Sequence, residues 1–377
     1  MTTTSKPALR IAMATPRFFP LAGGVENHVY QVASRLNHQG MEVTVLTVDP
    51  TGEMPASETI NGIQVMRVKG WPQNRDFGFA PGLYRLVAEG GWQLLHVQSY
   101  HTFVPFFAMA AARHARIPYV VTFHGGGHSS PLRNLARVPQ RALLRPFLAR
   151  AARLVAVARF EIDVYGRELR LPPEHFTLIP NGADLPQAPS PTAGDESQIL
   201  ILSVGRLEKY KGHQRAIAAL PHLLEREPRV KLRIAGSGPY AEALQQLARD
   251  LNVAAQVEIG AVPPERREEM AQLVSRAALV VLLSDFETHP IAALEALALH
   301  RPVLVANNSG MKELADQGWA RAIQTDSSPA DTAEAMLAQI RNPYQPAEMH
   351  LPTWDECADG LASLYRGILG NSAESQK

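Results

Sequence analysis

Two glutamates with seven residues between them, Glu287 and Glu295, are the carboxylates whose placement best suits ligand chemistry. Glu295 falls among apolar residues that recur with helical spacing, where an unpaired carboxylate is costly. Hydroxyl groups of a ligand would satisfy it. The alternative is structural: Glu295 pairs with an arginine and Glu287 is a charge at a helix terminus. Spacing alone leaves both interpretations open.

The segments around these glutamates predict how they are positioned. Residues 277–283 and 302–306 are apolar runs typical of buried parallel strands, and the residues between them predict a loop and a helix. In such a unit, ligands bind beyond the carboxyl end of the strand, at the N-terminus of the helix. The sequence therefore predicts a ligand site at the loop that carries Glu287.

A basic loop in the same half also suits an anion. Arg206 and Lys211 follow a predicted strand, 199–204, and Gly212 precedes a helix predicted from about His213. Two fixed cations and backbone donors at a helix N-terminus are suited to a diphosphate. The alternative is that these are ordinary surface charges.

The first half contains two glycine-rich strand ends. Gly23-Gly24 follows a strand predicted at 9–14 and exposes backbone N–H groups, although a tight turn is the plainer interpretation. His124 ends a predicted strand and precedes three glycines, which favours a site over an ordinary loop histidine. His96 and Gln98 end another predicted strand and are weaker candidates.

Together these motifs resemble the signature of the retaining glycosyltransferases of family 4. The shared features are Glu-x7-Glu followed by Ala-x-Ala and Pro-Val, a Gly-Gly-x-Glu loop, a strand-end histidine, and Gly-Arg followed by Lys-Gly. The resemblance covers nearly the whole chain. It implies an α/β protein with two facing Rossmann-like domains, the B-type glycosyltransferase fold, and a C-terminal helix that crosses back to the first domain.

The resemblance also implies roles for residues at the donor. Glu287 and His124 would be catalytic residues beside the donor sugar, and Glu295 would hold the ribose. Arg206, Lys211 and Gly24 would bind the diphosphate.

Further roles are implied for the base, the sugar and the acceptor. The base would lie at Gly236, Gly238 and Val262. The donor sugar would lie at His289, Pro290 and Ile291, where Phe-Gly is the common pair at the first two positions. Because proline has no N–H, one backbone donor is lost there. The acceptor side would comprise Gly23, Gly24, Glu26 and His96.

Composition and length fit a two-domain soluble protein. The 377 residues are 46% hydrophobic and 19% charged, and a single cysteine excludes an internal disulfide. We predict an acceptor domain at 1–186, a linker at 187–197, a nucleotide-sugar domain at 198–352, and the returning helix at 353–372. Without a secretory signal or a membrane-length apolar run, the expected location is cytoplasmic.

Charge is distributed unevenly along the chain. Residues 1–188 hold 19 Lys and Arg against 12 Asp and Glu, whereas the remainder holds 18 against 24. A helix predicted over 132–155, with breaks at Pro139 and Pro146, carries an arginine at every fourth position: Arg133, Arg137, Arg141 and Arg145. This stripe predicts a peripheral contact with an anionic membrane at its inner face, or an anionic lipid-linked acceptor. The alternative is a solvated surface helix.

The expected activity is the retaining, metal-independent transfer of a hexosyl group. The donor would be a UDP- or GDP-sugar, and the acceptor a hydroxyl of a sugar, a lipid-linked molecule or a small molecule. No cofactor, metal or nucleic-acid partner is expected, and no Asp-x-Asp sequence occurs. The alternatives are a nucleotide-sugar epimerase or a phosphorylase on the same fold, or a non-catalytic two-domain sugar-binding protein.

Overall fold

The computed structural model divides into two compact units, each with its own parallel sheet. It describes residues 8–21, 23–73, 79–100, 102–125, 131–183, 198–263, 266–346 and 348–374, without the side chains of 131–138 and 372–374. The first unit comprises 1–125, 134–182 and 352–377, and the second comprises 126–133 and 183–351. The predicted linker, 187–197, lies outside the described residues.

The first unit is built on an eight-stranded sheet. Its strands are β1 (Arg10–Ala14), β2 (Glu42–Asp49), β3 (Ser57–Ile60), β4 (Ile63–Lys69), β5 (Leu94–Gln98), β6 (Tyr119–Thr122), β7 (Arg153–Ala156) and β8 (Phe176–Leu178). Their order is β3-β4-β2-β1-β5-β6-β7-β8, and every neighbouring pair is parallel except β3 with β4. The direction of strand addition reverses at β1, so β1 and β5 flank a topological switch point.

The helices of the first unit follow its strands in sequence. They are α1 (Gly24–His38), α2 (Gly82–Glu89), α3 (Phe103–His114), α4 (Pro131–Leu148) and α5 (Arg159–Leu169). Apolar side chains of α2 and α3 pack with alternate residues of the central strands into one core. Alternation fits the geometry of strands, whose successive side chains point to opposite faces.

The second unit has a six-stranded, wholly parallel sheet. Its strands are β9 (Ile199–Val204), β10 (Val230–Ala235), β11 (Val257–Gly260), β12 (Leu279–Leu282), β13 (Val303–Ala306) and β14 (Arg321–Ile323). The order is β11-β10-β9-β12-β13-β14, the doubly wound order with its switch point between β9 and β12. Uninterrupted apolar runs, mostly Val and Leu, form β12 and β13 because helices cover both faces.

Six helices flank this second sheet among the described residues. They are α6 (His213–Leu224), α7 (Ala241–Asp250), α8 (Arg267–Arg276), α9 (Ile291–Ala298), α10 (Ser309–Asp316) and α11 (Pro329–Arg341). The chain then ends in α12 (Trp354–Glu374), which belongs to the first unit and packs against α1. The implied α/β class with two Rossmann-like units, and a last helix that belongs to the first of them, is confirmed.

One expectation about the first unit is wrong. The helix α4 continues without interruption through Pro139 and Pro146, although both prolines were predicted to break it. Each proline removes one backbone donor, but Leu144 and Leu148 on the same helix are buried in the core. This packing stabilises the helix more than the lost hydrogen bonds destabilise it.

The arginine stripe on α4 is described only in part. Arg141 forms an ion pair with Glu168, and Arg145 Nε donates to the carbonyl of Leu169 at 2.6 Å. The side chains of Arg133 and Arg137 lie outside the described residues. The membrane contact through the stripe and the cytoplasmic location stay predictions. In the part of the chain that the structure describes, no helix combines the length and apolarity needed to cross a bilayer.

Candidate active site

The switch point of the second sheet brings two of the predicted loops together. Beyond β9 lie Arg206 and a short 3₁₀ turn, Lys209–Lys211, that leads into α6. Beyond β12 lies the loop that carries Glu287. These strands are neighbours and parallel, so both loops emerge at the same carboxyl edge of the sheet.

Gly212 sets the distance between these loops. Its φ is +74°, and a Cβ at this position would lie 1.8 Å from the carbonyl oxygen of Leu283. Only glycine fits a positive φ with such a close approach. The N-terminus of α6 is therefore pressed against the end of β12.

Lys211 and Glu287 form an ion pair across this junction. Lys211 Nζ donates to Glu287 Oε1 at 2.6 Å, and Ser284 Oγ donates to the same oxygen at 2.9 Å. Burial disfavours the charged form of Lys211, but Glu287 outweighs it and raises the pKa of the amine above its ordinary value. The amine is therefore a permanent cation at neutral pH.

A second set of hydrogen bonds fixes the backbone of Glu287. Its N–H donates to Ser309 Oγ at 2.9 Å, and its carbonyl accepts from Gly310 N at 2.8 Å. A Cβ at Gly310 would lie 1.8 Å from the carbonyl oxygen of Thr288. The start of α10 thus holds the Glu287 loop in place.

Arg206 stands at the open side of the same loop. Its guanidinium is 51% exposed and contacts Glu208 at 3.3 Å, a weak surface pair. Beneath it, His213 is buried between Ser203 Oγ at 2.8 Å and the Arg206 carbonyl at 3.2 Å. Burial lowers the pKa of His213 to about 4, so the imidazole is neutral and supports the loop without adding charge.

Glu295 has the arginine partner that the structural interpretation anticipated. Arg267 Nη2 on α8 contacts Glu295 Oε1 at 2.8 Å, and the glutamate side chain is only 9% exposed. The arginine orients the carboxylate, and an ionised carboxylate can accept about four hydrogen bonds in total. The arginine pair and the predicted ribose contact are therefore compatible, and the ribose role stays a prediction.

The glycine turn that was predicted to contact the nucleotide base has a packing role in the structure. A Cβ at Gly236 would lie 1.9 Å from the Gly205 carbonyl oxygen, and one at Gly238 would lie 2.5 Å from that of Leu207. The two loops after β9 and β10 are joined by backbone bonds, including Leu207 N to Ser237 O at 2.9 Å. The glycines thus fix the loop of Arg206, and base contacts at Gly236, Gly238 and Val262 stay predictions.

The predicted donor-sugar segment lies at the start of α9. Pro290 precedes the first helical residue, Ile291, whose N–H bonds to the carbonyl of His289 at 2.9 Å. The backbone at this helix start therefore offers fewer donors to a ligand than glycine at position 290 would allow.

In the first unit, His124 lies just beyond β6 in a conformation uncommon for histidine. Its φ is +43° and it is 9% exposed. Its Nε2 lies 2.7 Å from Gln98 Oε1. Because an amide oxygen can only accept, Nε2 carries the hydrogen.

His28 on α1 packs edge-on against His124, with ring centroids 4.5 Å apart. Its Nδ1 bonds to Asn181 Oδ1 at 2.7 Å, and burial lowers its pKa to about 4. Among the described atoms, His28 Nε2 and Gln98 Nε2 are buried without a hydrogen-bond partner. Two unsatisfied polar atoms beside one histidine are unusual, because such atoms nearly always find partners.

Glu161 holds the backbone that follows His124. The side chain is fully buried, with Oε1 accepting from Gly125 N at 3.3 Å and Oε2 from Val157 N at 2.8 Å. A buried carboxylate that accepts backbone donors fixes them strongly. Glu161 therefore positions the His124 loop from behind.

The candidates on the predicted acceptor side differ in accessibility. His96 is fully buried, and its ring nitrogens bond to Tyr365 at 2.6 Å and to Thr122 at 2.7 Å. Direct contact with a ligand would require one of these bonds to break. Glu26 is also buried and contacts Arg17 at 3.3 Å. By contrast, Gly24 at the first position of α1 is exposed, and a Cβ built on it would meet no described atom within 4 Å.

Two family models together match almost the whole chain. The model described as Glycosyltransferase Family 4 matches residues 22–187, and the one described as Glycosyl transferases group 1 matches 187–350. The chain belongs to family 4 of the glycosyltransferases. This family 4 protein is accordingly a glycosyltransferase, and its two Rossmann-like units are those of the B-type fold.

Similar proteins match nearly the full length of the chain. D-inositol 3-phosphate glycosyltransferase of Rhodococcus opacus is 26% identical and covers 95% of this chain and 90% of its own. Phosphatidyl-myo-inositol mannosyltransferase of Mycolicibacterium smegmatis is 28% identical over 98% and 96%. The solved structure of Anabaena HepE with UDP and glucose shares 19% identity and a TM-score of 0.71, over 98% of this chain and 99% of its own.

Sequence reasoning did not find every residue that shapes these sites. It missed four residues that contact predicted site residues, or the loops that carry them, from distant parts of the sequence: Arg267, Ser309, Glu161 and His28. Only Ser284 could have been suspected, since it directly precedes the loop of Glu287. Within the described part of the chain, no group of three or more His, Cys, Asp or Glu is arranged to hold a metal ion.

Proposed function

We propose that this glycosyltransferase moves a hexosyl group from a nucleoside diphosphate sugar to a hydroxyl of a carbohydrate, lipid-linked or small-molecule acceptor. The proposed transfer retains the anomeric configuration and needs no metal. The observation that carries the proposal is the Lys211–Glu287 pair at the N-terminus of α6, at the switch point of the second sheet.

The basic loop fits the charge that develops on the leaving group. When the bond between sugar and diphosphate breaks, negative charge accumulates on the diphosphate and must be stabilised. Lys211 supplies a permanent cation, the exposed Arg206 can turn toward the ligand, and α6 supplies N–H donors. These groups perform the electrostatic task that a divalent ion performs elsewhere.

The two carboxylates have separate proposed tasks. Glu287, fixed by Ser284 and Ser309, stabilises positive charge on the donor sugar and steers Lys211. Glu295, oriented by Arg267, accepts hydrogen bonds from the ribose hydroxyls. His124, with its Nε2 hydrogen directed at Gln98, lies beside the donor sugar.

Similar proteins support the choice of donor. The names of two relatives specify glycosyl and mannosyl transfer to inositol-containing acceptors, and HepE is described with UDP and glucose. UDP-sugars are therefore the first donors to test and GDP-sugars the second. An acceptor that carries a phosphate or a lipid is the first acceptor class.

Turnover tests the proposal directly. Purified protein is incubated with UDP- and GDP-hexoses, with and without a panel of glycan and lipid-linked acceptors, and released nucleoside diphosphate is measured. We expect release that depends on acceptor, persists in excess chelator, and gives a product whose anomeric proton coupling matches the donor.

Each part of the proposal has an outcome that contradicts it. Conversion of the nucleotide-sugar to its epimer without acceptor would favour an epimerase. Binding of donor and sugar without release would favour a binding protein. A product with inverted anomeric configuration would overturn only the proposed retention. Loss of activity in excess chelator would overturn only the proposed metal independence.

A further inference from the structure

The large apolar side chains that are exposed in the described part of the chain lie in the first unit. Among the described side chains, those exposed are Trp71 at 73%, Phe79 at 45%, Phe103 at 50% and Leu143 at 62%. All four belong to the first unit. We call them the aromatic face. A contiguous exposed apolar patch marks a surface that contacts something other than water.

Two of these side chains, Phe79 and Phe103, pack together, and Trp71 is joined to Phe79 through the backbone. Trp71 and Phe79 are joined by two backbone hydrogen bonds, at 3.0 and 2.8 Å. The Phe79 ring packs edge-on against Phe103 and Phe107, with centroids 6.2 and 4.9 Å apart. The two phenylalanine rings are therefore held in position although they are exposed, and the backbone pairing places Trp71 next to them.

The cluster lies at the same sheet edge as His124. Trp71 follows the carboxyl end of β4, and Phe103 begins α3, which follows β5. His124 follows β6, which pairs in parallel with β5. The aromatic face therefore borders the edge at which the acceptor is proposed to react.

The face extends from α3 onto α4. Phe106 on α3 contacts Phe147 on α4 with ring centroids 5.3 Å apart, and Leu143 lies one helical turn before Phe147. Gln140 Nε2 also donates to the carbonyl of Tyr100 at 3.3 Å, just ahead of α3. Phe103 and Leu143 thus lie on two helices that contact each other through Phe106 and Phe147.

The part of the sequence that contains these helices is basic. Residues 90–160 contain nine arginines and no aspartate or glutamate. Arg113 lies over the Phe147 ring, 5.3 Å from its centroid. Some of these charges are engaged locally, as Arg141 is with Glu168, yet the segment as a whole remains strongly basic.

We propose that the aromatic face is a membrane-docking surface that inserts its rings into the interface of an anionic bilayer. The inference rests on the proposed function, because it makes the acceptor a membrane-resident, lipid-linked molecule. Trp, Phe and Leu partition into the interface, and arginine is attracted to anionic headgroups. This surface is distinct from the arginine stripe of α4, of which two side chains are bound within the unit.

Two other occupants fit the observations less well. A soluble glycan would bind in a concave site, whereas these side chains are exposed by 45 to 73% and stand out from the surface. A second copy of the chain would bring two basic segments together, and like charges oppose such contact. An anionic lipid surface suits both the apolar face and the basic segment that contains Phe103 and Leu143.

Trp71 provides a direct reporter of docking. The chain has four tryptophans, and Trp71 is the most exposed, since Trp92 and Trp354 are buried and Trp319 is half-buried. With vesicles of phosphatidylcholine and phosphatidylglycerol at low salt, we expect a blue shift of emission and protection from iodide. Pure phosphatidylcholine should give a weaker effect, and added salt should reduce binding.

Substitutions separate the aromatic face from general charge. We expect Trp71→Ser and Phe103→Ser each to lower the vesicle partition coefficient by about tenfold. Trp71→Phe should keep binding and lose the fluorescence change. Arg226→Ser, on the second unit, is the matched surface control and should bind like the wild type. Nucleoside diphosphate binding should be unchanged in all four variants, which separates failure of docking from failure of the proposed function.

Several results would overturn the proposal. Wild-type protein that remains unbound in flotation at low salt would do so. A Trp71 shift produced by soluble oligosaccharide without vesicles would make the face a glycan platform. Self-association that Phe103→Ser abolishes would make it a dimer interface.

Discussion

The candidate site residues at the carboxyl edges of the two sheets differ in charge. At the edge of the second sheet, each predicted carboxylate is paired with a cation: Glu287 with Lys211 and Glu295 with Arg267. At the edge of the first sheet, the imidazole of His28 is neutral, buried beside His124, and one of its nitrogens has no partner among the described atoms.

This difference matches two kinds of ligand. Pre-formed ion pairs hold fixed charges in position, as a charged leaving group requires, and cost little reorganisation when the ligand arrives. Neutral donors and acceptors with unused hydrogen-bonding capacity suit hydroxyl groups. The comparison therefore supports our proposal that the diphosphate binds the second unit, whereas the first unit suits neutral hydroxyls.

Removing the carboxylate at the second edge should give the largest effect on turnover. We expect Glu287→Ala to reduce kcat by about 10²–10³-fold, since it loses charge stabilisation at the donor sugar. Nucleoside diphosphate affinity should be unchanged or higher, because Lys211 loses its internal partner. Steady-state kinetics and calorimetry measure the two quantities.

A neighbouring carboxylate serves as the control. Asp285 lies on the same loop and pairs with Arg215 at 2.6 Å, so Asp285→Ala tests the loss of a loop ion pair alone. If Asp285→Ala reduced kcat as much as Glu287→Ala, the effect would belong to loop stability. The special role of Glu287 would then be lost.

The proposed ribose contact of Glu295 should have an intermediate effect. We expect Glu295→Gln to weaken UDP or GDP binding by roughly tenfold or more, the worth of a hydrogen bond to a charged group. The 2′,3′-dideoxy analogue should be affected little, because it lacks the hydroxyls. Calorimetric titration of both ligands measures the difference.

Arg267→Ala sharpens the same test. The substitution removes the group that orients Glu295. It should weaken binding of the ribonucleotide more than binding of the dideoxy analogue, but by less than Glu295→Gln does. Equal losses for ribonucleotide and dideoxy analogue in both variants would show that the ion pair only stabilises the fold.

The sequence predicted most of the elements and the placement of the basic loop. The helix expected from about His213 begins there, because Gly212 ends the preceding loop with a positive φ. The strands on both sides of Glu287 were evident from their unbroken apolar runs, which a doubly covered parallel sheet requires. Local signals of this kind can be read directly from neighbouring residues.

Contacts between distant segments could not be predicted in this way. Arg267 precedes Glu295 by 28 residues and lies on another helix, so its identity as the partner depends on how α8 packs. The uninterrupted course of α4 through Pro139 depends likewise on tertiary packing. His96 looked like a strand-end ligand, yet Tyr365 from the last helix buries it.

The neutral histidine of the first unit predicts how stability depends on pH. Because the pKa of His28 is lowered from 6.5 to about 4 in the folded protein, the unfolded chain takes up a proton first. The free energy of unfolding should therefore be highest above about pH 6.5 and fall toward pH 4. Between pH 7 and 5, His28 should account for about 2 kcal/mol of that fall.

Urea unfolding at pH 7 and pH 5 measures this contribution. In His28→Phe the free energy of unfolding should fall by about 2 kcal/mol less between pH 7 and pH 5 than in the wild type. His222→Phe, at an exposed position, should behave like the wild type. An identical fall in wild type and His28→Phe would show that His28 is not held neutral.

The central claim is that the second unit binds the diphosphate of the donor through Arg206 and Lys211. Calorimetric titration of UDP, GDP and the parent nucleosides into wild type, Arg206→Ala, Lys211→Ala and the exposed control Lys209→Ala tests it most directly. We expect the first two variants to weaken diphosphate binding by about 1.5–3 kcal/mol each and nucleoside binding hardly at all. Lys209→Ala should match the wild type. Equal losses for nucleoside and diphosphate, or no loss for either, would contradict the account.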